Sequence, residues 1–417
     1  MGACGVSATP GAATELTDDS RLALVALTIV GEHDEFVVGE PATGRFFAVP
    51  PEGVRVLEGL RDGKTIREAA SAASSAQESL DALDFARVLL GAGFVTEVDG
   101  QRVRAAGATD GVPEFNRIAG RIGRLLFSTR VAAASGALLV LVVAAFVAEP
   151  AMRPRFENLF IAPSPAVSFA VIFAMTMVSA MLHELCHWWA TRSLGAPARI
   201  RLSRRFYIPV METDISGLWG LPARLRYGPF LAGMVFDVLV LAVALALRLG
   251  WSYEVVDLPP TVVRILAALV TLKVFEIMFQ FLVFLRTDLY AVMITALGAR
   301  NLDRVTRLRL KVAFRVARPA DRAELEAAHP RDLAASRWYA VCYGLGVLWA
   351  VWFFKAWFYP ATFVVFTWMA STLGKAPLGS GYWWQAAIVA ALVSIDVIWP
   401  VAVYLRQRAA RRVGALS

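Results

Sequence analysis

With 417 residues, 57% of them hydrophobic and only 18% charged, the chain has a mean hydropathy of +0.56, too apolar for an ordinary soluble protein. Its net charge of +8 gathers in arginines beside the apolar runs, a distribution that membrane topology explains better than nucleic-acid binding; no DNA-reading or RNA-reading motif accompanies it. Three scattered cysteines, Cys4, Cys186 and Cys342, do not make a disulfide framework. The first twenty residues lack the apolar core of a secretory signal, and Val6 stands where a myristoylation pattern needs Ser or Thr.

Residues 1–20 read as a disordered tail and residues 21–105 as a small cytosolic domain with its own pattern. Glu35-Phe36-Val37-Val38-Gly39 and Arg45-Phe46-Phe47-Ala48-Val49 flank a Pro-Ala-Thr-Gly turn, which predicts a hairpin. Val54, Leu57 and Leu60 then recur at helical spacing, and Thr65 is placed to cap a second helix through Ile66 and Ala70. A third helix, around Leu80 to Leu90, stops at Gly91 and Gly93 before a last strand pair, Phe94-Val95-Thr96 and Arg102-Val103. Hairpin, helices and wing together suggest a small α+β winged-helix-like fold. The order resembles the PqqD-like peptide-recognition domains of ribosomal peptide maturation, and that resemblance implies binding of a leader peptide as an added strand. The plain alternative is a regulatory or stabilising domain.

A basic linker, 106–130, leads to a mainly α polytopic membrane protein. Apolar runs near 20 residues long predict about six spans, at 131–149, 165–191, 229–249, 263–285, 338–357 and 383–405. Four arginines (Arg117, Arg121, Arg124 and Arg130) precede the first span, whereas only Arg153 and Arg155 follow it. The segment 192–226 holds seven arginines and 251–261 none; 286–337 holds eleven basic residues, and four more (Arg406, Arg408, Arg411 and Arg412) follow the last span. Cytoplasmic loops are rich in Lys and Arg, so both termini and the basic loop 301–337 are expected in the cytoplasm. The stretch Phe358 to Leu373, interrupted by Pro360, reads as re-entrant or interfacial between that loop and the C-terminal membrane region, 338–405.

The second span carries His183-Glu184-Leu185-Cys186-His187. Histidines four apart share a helix face, and the intervening glutamate can polarise a metal-bound water; this is the HExxH zinc signature. Only two other histidines exist, His33 and His329. The bland alternative is a pair of buried helix histidines bonded to neighbours, but burying Glu184 and two imidazoles in an apolar run is costly without a function. A catalytic zinc needs a third protein ligand. Asp288, at the cytoplasmic end of the fourth span, matches the histidines in depth. Asp237 and Asp396 fall near the middles of their spans, and Glu276, three residues from Lys273, reads as one half of an internal ion pair.

At these residues the chain resembles the site-2 protease family of intramembrane zinc metalloproteases, and more closely its peptide zinc metalloprotease branch. The likeness runs over roughly residues 130–300: the HExxH stretch, Ala190-Thr191-Arg192-Ser193-Leu194-Gly195-Ala196, Tyr207-Ile208-Pro209-Val210, Asp214-Ile215-Ser216-Gly217-Leu218-Trp219, Leu221-Pro222-Ala223-Arg224, Gly233 and Leu285-Arg286-Thr287-Asp288-Leu289-Tyr290. It implies Zn²⁺ held by His183, His187 and Asp288, with Glu184 as general base, in a zinc-dependent metalloendopeptidase of a bacterial cell membrane. The substrate would be a peptide or membrane protein, with peptide-maturation enzymes or an exporter as partners. Cys186 departs from the family's usual glycine, and Leu289 replaces a glycine after the aspartate, removing backbone freedom there. Tyr207, Ile208 and Val210 have strand-like composition, and an exposed edge there would pair with an unwound substrate. The competing class is a catalytically inactive membrane peptide-binding or export factor.

Overall fold

A computed structural model of the protein describes residues 16–32, 35–41, 43–73, 81–103, 115–205 and 208–391. Most of the expected tail 1–20, the end of the sixth expected span with Asp396, and the basic tail lie outside the described residues. The chain is mainly helical with a small N-terminal strand-containing part, and it divides into two compact units. One comprises residues 1–117, 191–198 and 215–226; the other comprises 118–190, 199–214 and 227–417.

The first unit begins with β1 (Leu22–Leu24) and β2 (Thr28–Glu32), two strands not anticipated from the sequence. The expected hairpin forms between β3 (Glu35–Glu40) and β4 (Arg45–Val49), in register from Phe36 opposite Val49 to Glu40 opposite Arg45. Gly39 faces Phe46, and a Cβ there would lie 2.3 Å from the phenyl ring, so only glycine leaves room for the aromatic. Helix α1 (Pro51–Arg61) starts with proline at its first position, where no backbone N–H is needed. Helix α2 (Ile66–Ala73) follows a reciprocal cap: the Thr65 hydroxyl accepts from Glu68 N–H and the Glu68 carboxylate from Thr65 N–H. That backbone bond holds the Glu68 carboxyl below its ordinary range. Helix α3 (Ala82–Gly91) is capped by Asp81, and β5 (Val95–Val98) and β6 (Gln101–Arg102) close the domain. The sheets run β1-β5-β6 and β2-β3-β4, around a core that includes Val38, Val56, Leu60, Ile66, Ala86 and Phe94. The same unit takes in the 3-10 helix Ser216–Gly220, whose Gly220 packs on the Phe46 ring.

Four helical runs among the described residues are long and apolar enough to cross a membrane. Preceded by α4 (Arg117–Leu126), they begin with α5 (Thr129–Ala148) and α6 (Pro165–Ser193). The hairpin β7 (Arg199–Arg205) and β8 (Ile208–Asp214) leads to α7 (Ala223–Ser252). Helix α8 (Pro260–Gln280) has spanning length but carries Arg264, Lys273 and Glu276, and it ends five residues short of the expected boundary. The short α9 (Asp288–Leu297) follows.

Two expectations fail here. The basic linker contains α4, and the basic loop 301–337 is largely helical, with α10 (Leu302–Ala313), α11 (Pro319–Glu326) and the start of α12 (Pro330–Phe353). Of the two readings of Phe358 to Leu373, re-entrant or interfacial, the first is also overturned, since the chain does not turn back at Pro360. A π-helical turn, Phe354–Phe358, joins α12 to α13 (Tyr359–Lys375), making one helical run of 46 residues. A π turn interrupts the regular hydrogen-bond ladder, and so accommodates a proline that would otherwise clash with the preceding turn. Residues 381–391, where the sixth span was expected to begin, are helical.

Candidate metal centre

Apolar residues fill α6 from Pro165 onward, and the helix stops where Gly195 takes a left-handed conformation, φ 78°. His187 is therefore six residues, about 9 Å, from its C-terminal end. His183 and His187 project from one face, one turn apart. Their Nε2 atoms are 3.1 Å from each other, and each approaches the same Asp288 oxygen, at 3.1 Å from His183 and 3.2 Å from His187. Among the described residues this is the one group of three or more His, Cys, Asp or Glu side chains disposed to hold a metal ion.

Helix α7 supports both histidines from a single stripe. Pro229, Gly233 and Asp237 are spaced four apart, and each meets a histidine. The Pro229 carbonyl lies 2.7 Å from His187 Nδ1, and an Asp237 carboxylate oxygen lies 2.7 Å from His183 Nδ1. Between them Gly233 lies against the His183 ring so closely that a Cβ would stand 2.3 Å from Nε2. A carbonyl and a carboxylate accept hydrogen bonds, which places the proton of each imidazole on Nδ1 and leaves a lone pair on each Nε2. Two lone pairs and a carboxylate oxygen that converge at 3.1–3.2 Å repel one another unless a cation lies between them. Tetrahedral zinc with bonds of about 2.0–2.1 Å separates its ligands by about 3.3–3.4 Å, so the donor set fits such an ion in type and nearly in spacing.

Behind Asp237 stands a buried ion network. Lys273 Nζ donates to Asp237 Oδ1 at 2.6 Å, to Glu276 Oε2 at 2.9 Å and to Ser179 Oγ at 2.5 Å, so each of its three N–H groups has an acceptor. Ser179 in turn donates to Glu276 at 2.6 Å, and the Lys273 ammonium lies 4.6 Å from the Phe236 ring centroid. Lys273 and Asp237 each expose only 1% of their side chains. Glu276 is thus the partner of Lys273, as its spacing predicted.

Asp288 is delivered by an irregular segment. After α8 come a 3-10 turn, Val283–Leu285, and then Arg286 in the left-handed region at φ 58°. Arg286 reaches Asp303 through Nε and Nη2, at 3.1 and 2.5 Å. Gln280, the last residue of α8, holds the next turn: its carbonyl accepts from the Thr287 hydroxyl at 2.6 Å and its side-chain oxygen from Asp288 N–H at 3.1 Å. The backbone freedom needed near the ligand lies at Arg286, while Leu289 is helical and needs no glycine.

Glu184 projects toward β8, where its Oε2 accepts from Thr213 N–H at 2.8 Å and its carbonyl from the Thr213 hydroxyl at 2.9 Å. Cys186 is half-buried and forms no disulfide. The three expected ligands are thereby together, with Glu184 on the same helix. Asp237 stands outside the group of three but is bonded to one of its histidines, a role that depth matching alone overlooked. Its signal was available: an aspartate in an apolar helix requires a buried partner. No family model matches the chain, and neither the curated proteins nor the solved structures contain a match.

Proposed function

We propose that the protein is an intramembrane zinc metalloprotease of the site-2 protease type, hydrolysing a peptide bond in a membrane-associated or leader-bearing precursor. The observation that carries this reading is the convergence of two Nε2 lone pairs and the Asp288 carboxylate within 3.2 Å, on the helix that also carries the HExxH glutamate. His183, His187 and Asp288 would hold the zinc ion, which when bound would supply an activated water and a Lewis acid for the scissile carbonyl. Glu184 takes the proton of the attacking water and returns it to the leaving amine. His183 and His187 keep their orientation through Asp237 and Pro229.

The substrate must present an extended backbone, because a helix hides its carbonyls in its own hydrogen bonds. β7 and β8 form a two-stranded sheet, and the outer edge of β8, at Thr213, is the one that meets Glu184. This edge suits an incoming strand better than an interfacial loop that only packs. The N-terminal domain serves as the recognition module, in line with its likeness to PqqD-like domains, and the arginine distribution puts that domain and the metal centre on the cytoplasmic side of about six spans.

The alternative is a catalytically inactive peptide-binding or export factor, favoured by the engagement of Glu184 with Thr213. Glu184→Gln separates the two. The variant is expected to keep its zinc, measured by elemental analysis, and to lose cleavage of a precursor that the parent protein shortens. Unchanged product length in a cell-based precursor assay would sink the protease reading.

A further inference from the structure

The ten residues of α4, Arg117-Ile118-Ala119-Gly120-Arg121-Ile122-Gly123-Arg124-Leu125-Leu126, show three faces. At about 100° per residue, Gly120 and Gly123 point one way and are buried. Arg117, Arg121 and Arg124 line up along the flank, roughly a quarter turn from the glycines. Nearly opposite the glycines, Ile118, Ile122 and Leu125 expose 69%, 44% and 73% of their surface, and Leu126 is exposed beside them. This apolar stripe forms the exposed side of the helix.

The helix is nonetheless firmly seated. Trp189 Nε1 on α6 donates to the Ala119 carbonyl at 2.9 Å, and Phe127 stacks edge-on against the same indole at 5.9 Å. The Phe127 carbonyl comes so near Gly228 of α7 that a Cβ there would lie 2.0 Å away. Trp189 lies two residues beyond His187, and Gly228 directly precedes Pro229, which bonds His187. Through the Ala119 carbonyl and Phe127, α4 and the residue that follows it thus meet the two elements that fix His187.

A helix that buries glycines on its own protein, exposes isoleucines and leucines, and sets arginines between the two faces matches the layering of a bilayer surface. Its place in the chain agrees, since Ser128 caps α5, the first spanning helix, two residues after α4 ends. We propose that α4 lies in the membrane interface, with Ile118, Ile122 and Leu125 in the acyl region and Arg117, Arg121 and Arg124 on anionic phospholipid headgroups. It thereby holds the His187 end of the metal centre at a fixed depth. This surface does not depend on zinc or on proteolysis.

The test uses the full-length protein, with Cys4 and Cys342 replaced by Ser, reconstituted in vesicles of phosphatidylcholine and phosphatidylglycerol. Nitroxide labels on Arg121→Cys, Ile122→Cys and Leu125→Cys are compared for collision with dissolved oxygen and with a water-soluble nickel chelate; an otherwise identical protein without the new cysteine corrects for Cys186. Labels at 122 and 125 are expected to favour oxygen and the label at 121 nickel. Nickel access at 122 equal to that at 121 would make the stripe water-facing and overturn the proposal. Low access to both probes would do so as well, because it would mean that another part of the chain or a second copy covers the face. For the headgroup half, lipid association is measured in the Arg117→Gln and Arg121→Gln double variant, whose thermal unfolding should match the parent. Its preference for phosphatidylglycerol over phosphatidylcholine is expected to fall by about fivefold for each arginine removed, and an unchanged preference overturns the anionic assignment.

Discussion

His183 and His187 stand one turn apart in one motif, yet they are held in place by different chemistry. His187 bonds to a backbone carbonyl, that of Pro229, which carries no net charge. His183 bonds to the carboxylate of Asp237, and that charge is balanced by Lys273 and shared with Glu276. A carbonyl partner comes with the fold of α7 and survives nearly any substitution. A carboxylate partner in an apolar surrounding demands its own countercharge, because an unpaired buried ion costs several kcal/mol or more. One ligand is therefore supported by the backbone and the other by a side-chain network spread over α6, α7 and α8.

The contrast can be broken in steps. The largest effect is expected from Gly233→Ala, which drives a methyl group into the His183 ring; zinc content should fall to background, and retention of full zinc would refute the packing argument. Lys273→Met should come next. It strands Asp237 and Glu276 without their cation, and breaking such a buried pair costs about 3–5 kcal/mol, read as a lowered unfolding midpoint in denaturant. Asp237→Asn keeps the shape of the side chain and removes its charge; zinc affinity measured by chelator competition should drop about 10–100-fold. Pro229→Ala leaves the carbonyl in place, and the affinity change should stay under about tenfold. If Pro229→Ala weakened zinc as much as Asp237→Asn, the distinction between backbone and side-chain support would not stand.

Much of this centre was legible in the sequence. HExxH names two ligands, and Asp288 followed from depth alone, because charged residues are so sparse in the apolar runs that few could compete. Glu276 and Lys273 followed from helical spacing. Asp237 was harder, since depth matching asks which group reaches the metal and not which group reaches the far nitrogen of a ligand. Its position four residues after Gly233 and eight after Pro229 becomes meaningful once α7 is known to face α6. The break at Arg286 was invisible, because a left-handed arginine has no sequence signature, whereas the absence of a glycine at Leu289 does. The helicity of the basic stretches was missed for another reason. Arg309, for instance, bonds the Ser336 hydroxyl and the Leu333 carbonyl, and tertiary contacts of that kind turn a polar stretch into packed helix, while the apolar period of α10, Leu302, Val305 and Leu308, is short and interspersed with charges. In the N-terminal domain the β3–β4 hairpin was plain from two strand-like runs flanking a Pro-Ala-Thr-Gly turn, whereas β1 is three residues long, too short to show a period.

The hydrogen bond between Thr213 and Glu184 makes β8 a ruler. In the β7–β8 ladder Thr213 lies opposite Ile200, Met211 opposite Leu202 and Pro209 opposite Arg204. Because the Thr213 N–H turns outward to Glu184, the strand's alternation turns those of 211 and 209 outward as well. Pro209 has no N–H to offer, so Met211 supplies the donor rung nearest to the one that Glu184 occupies, about 6.8 Å along the strand. Under the proposed protease reading, a peptide laid on that edge would have few registers to choose from. Which of its bonds came level with Glu184 would then be set by counting residues from Met211, a selectivity of position that would need no pocket for any particular side chain.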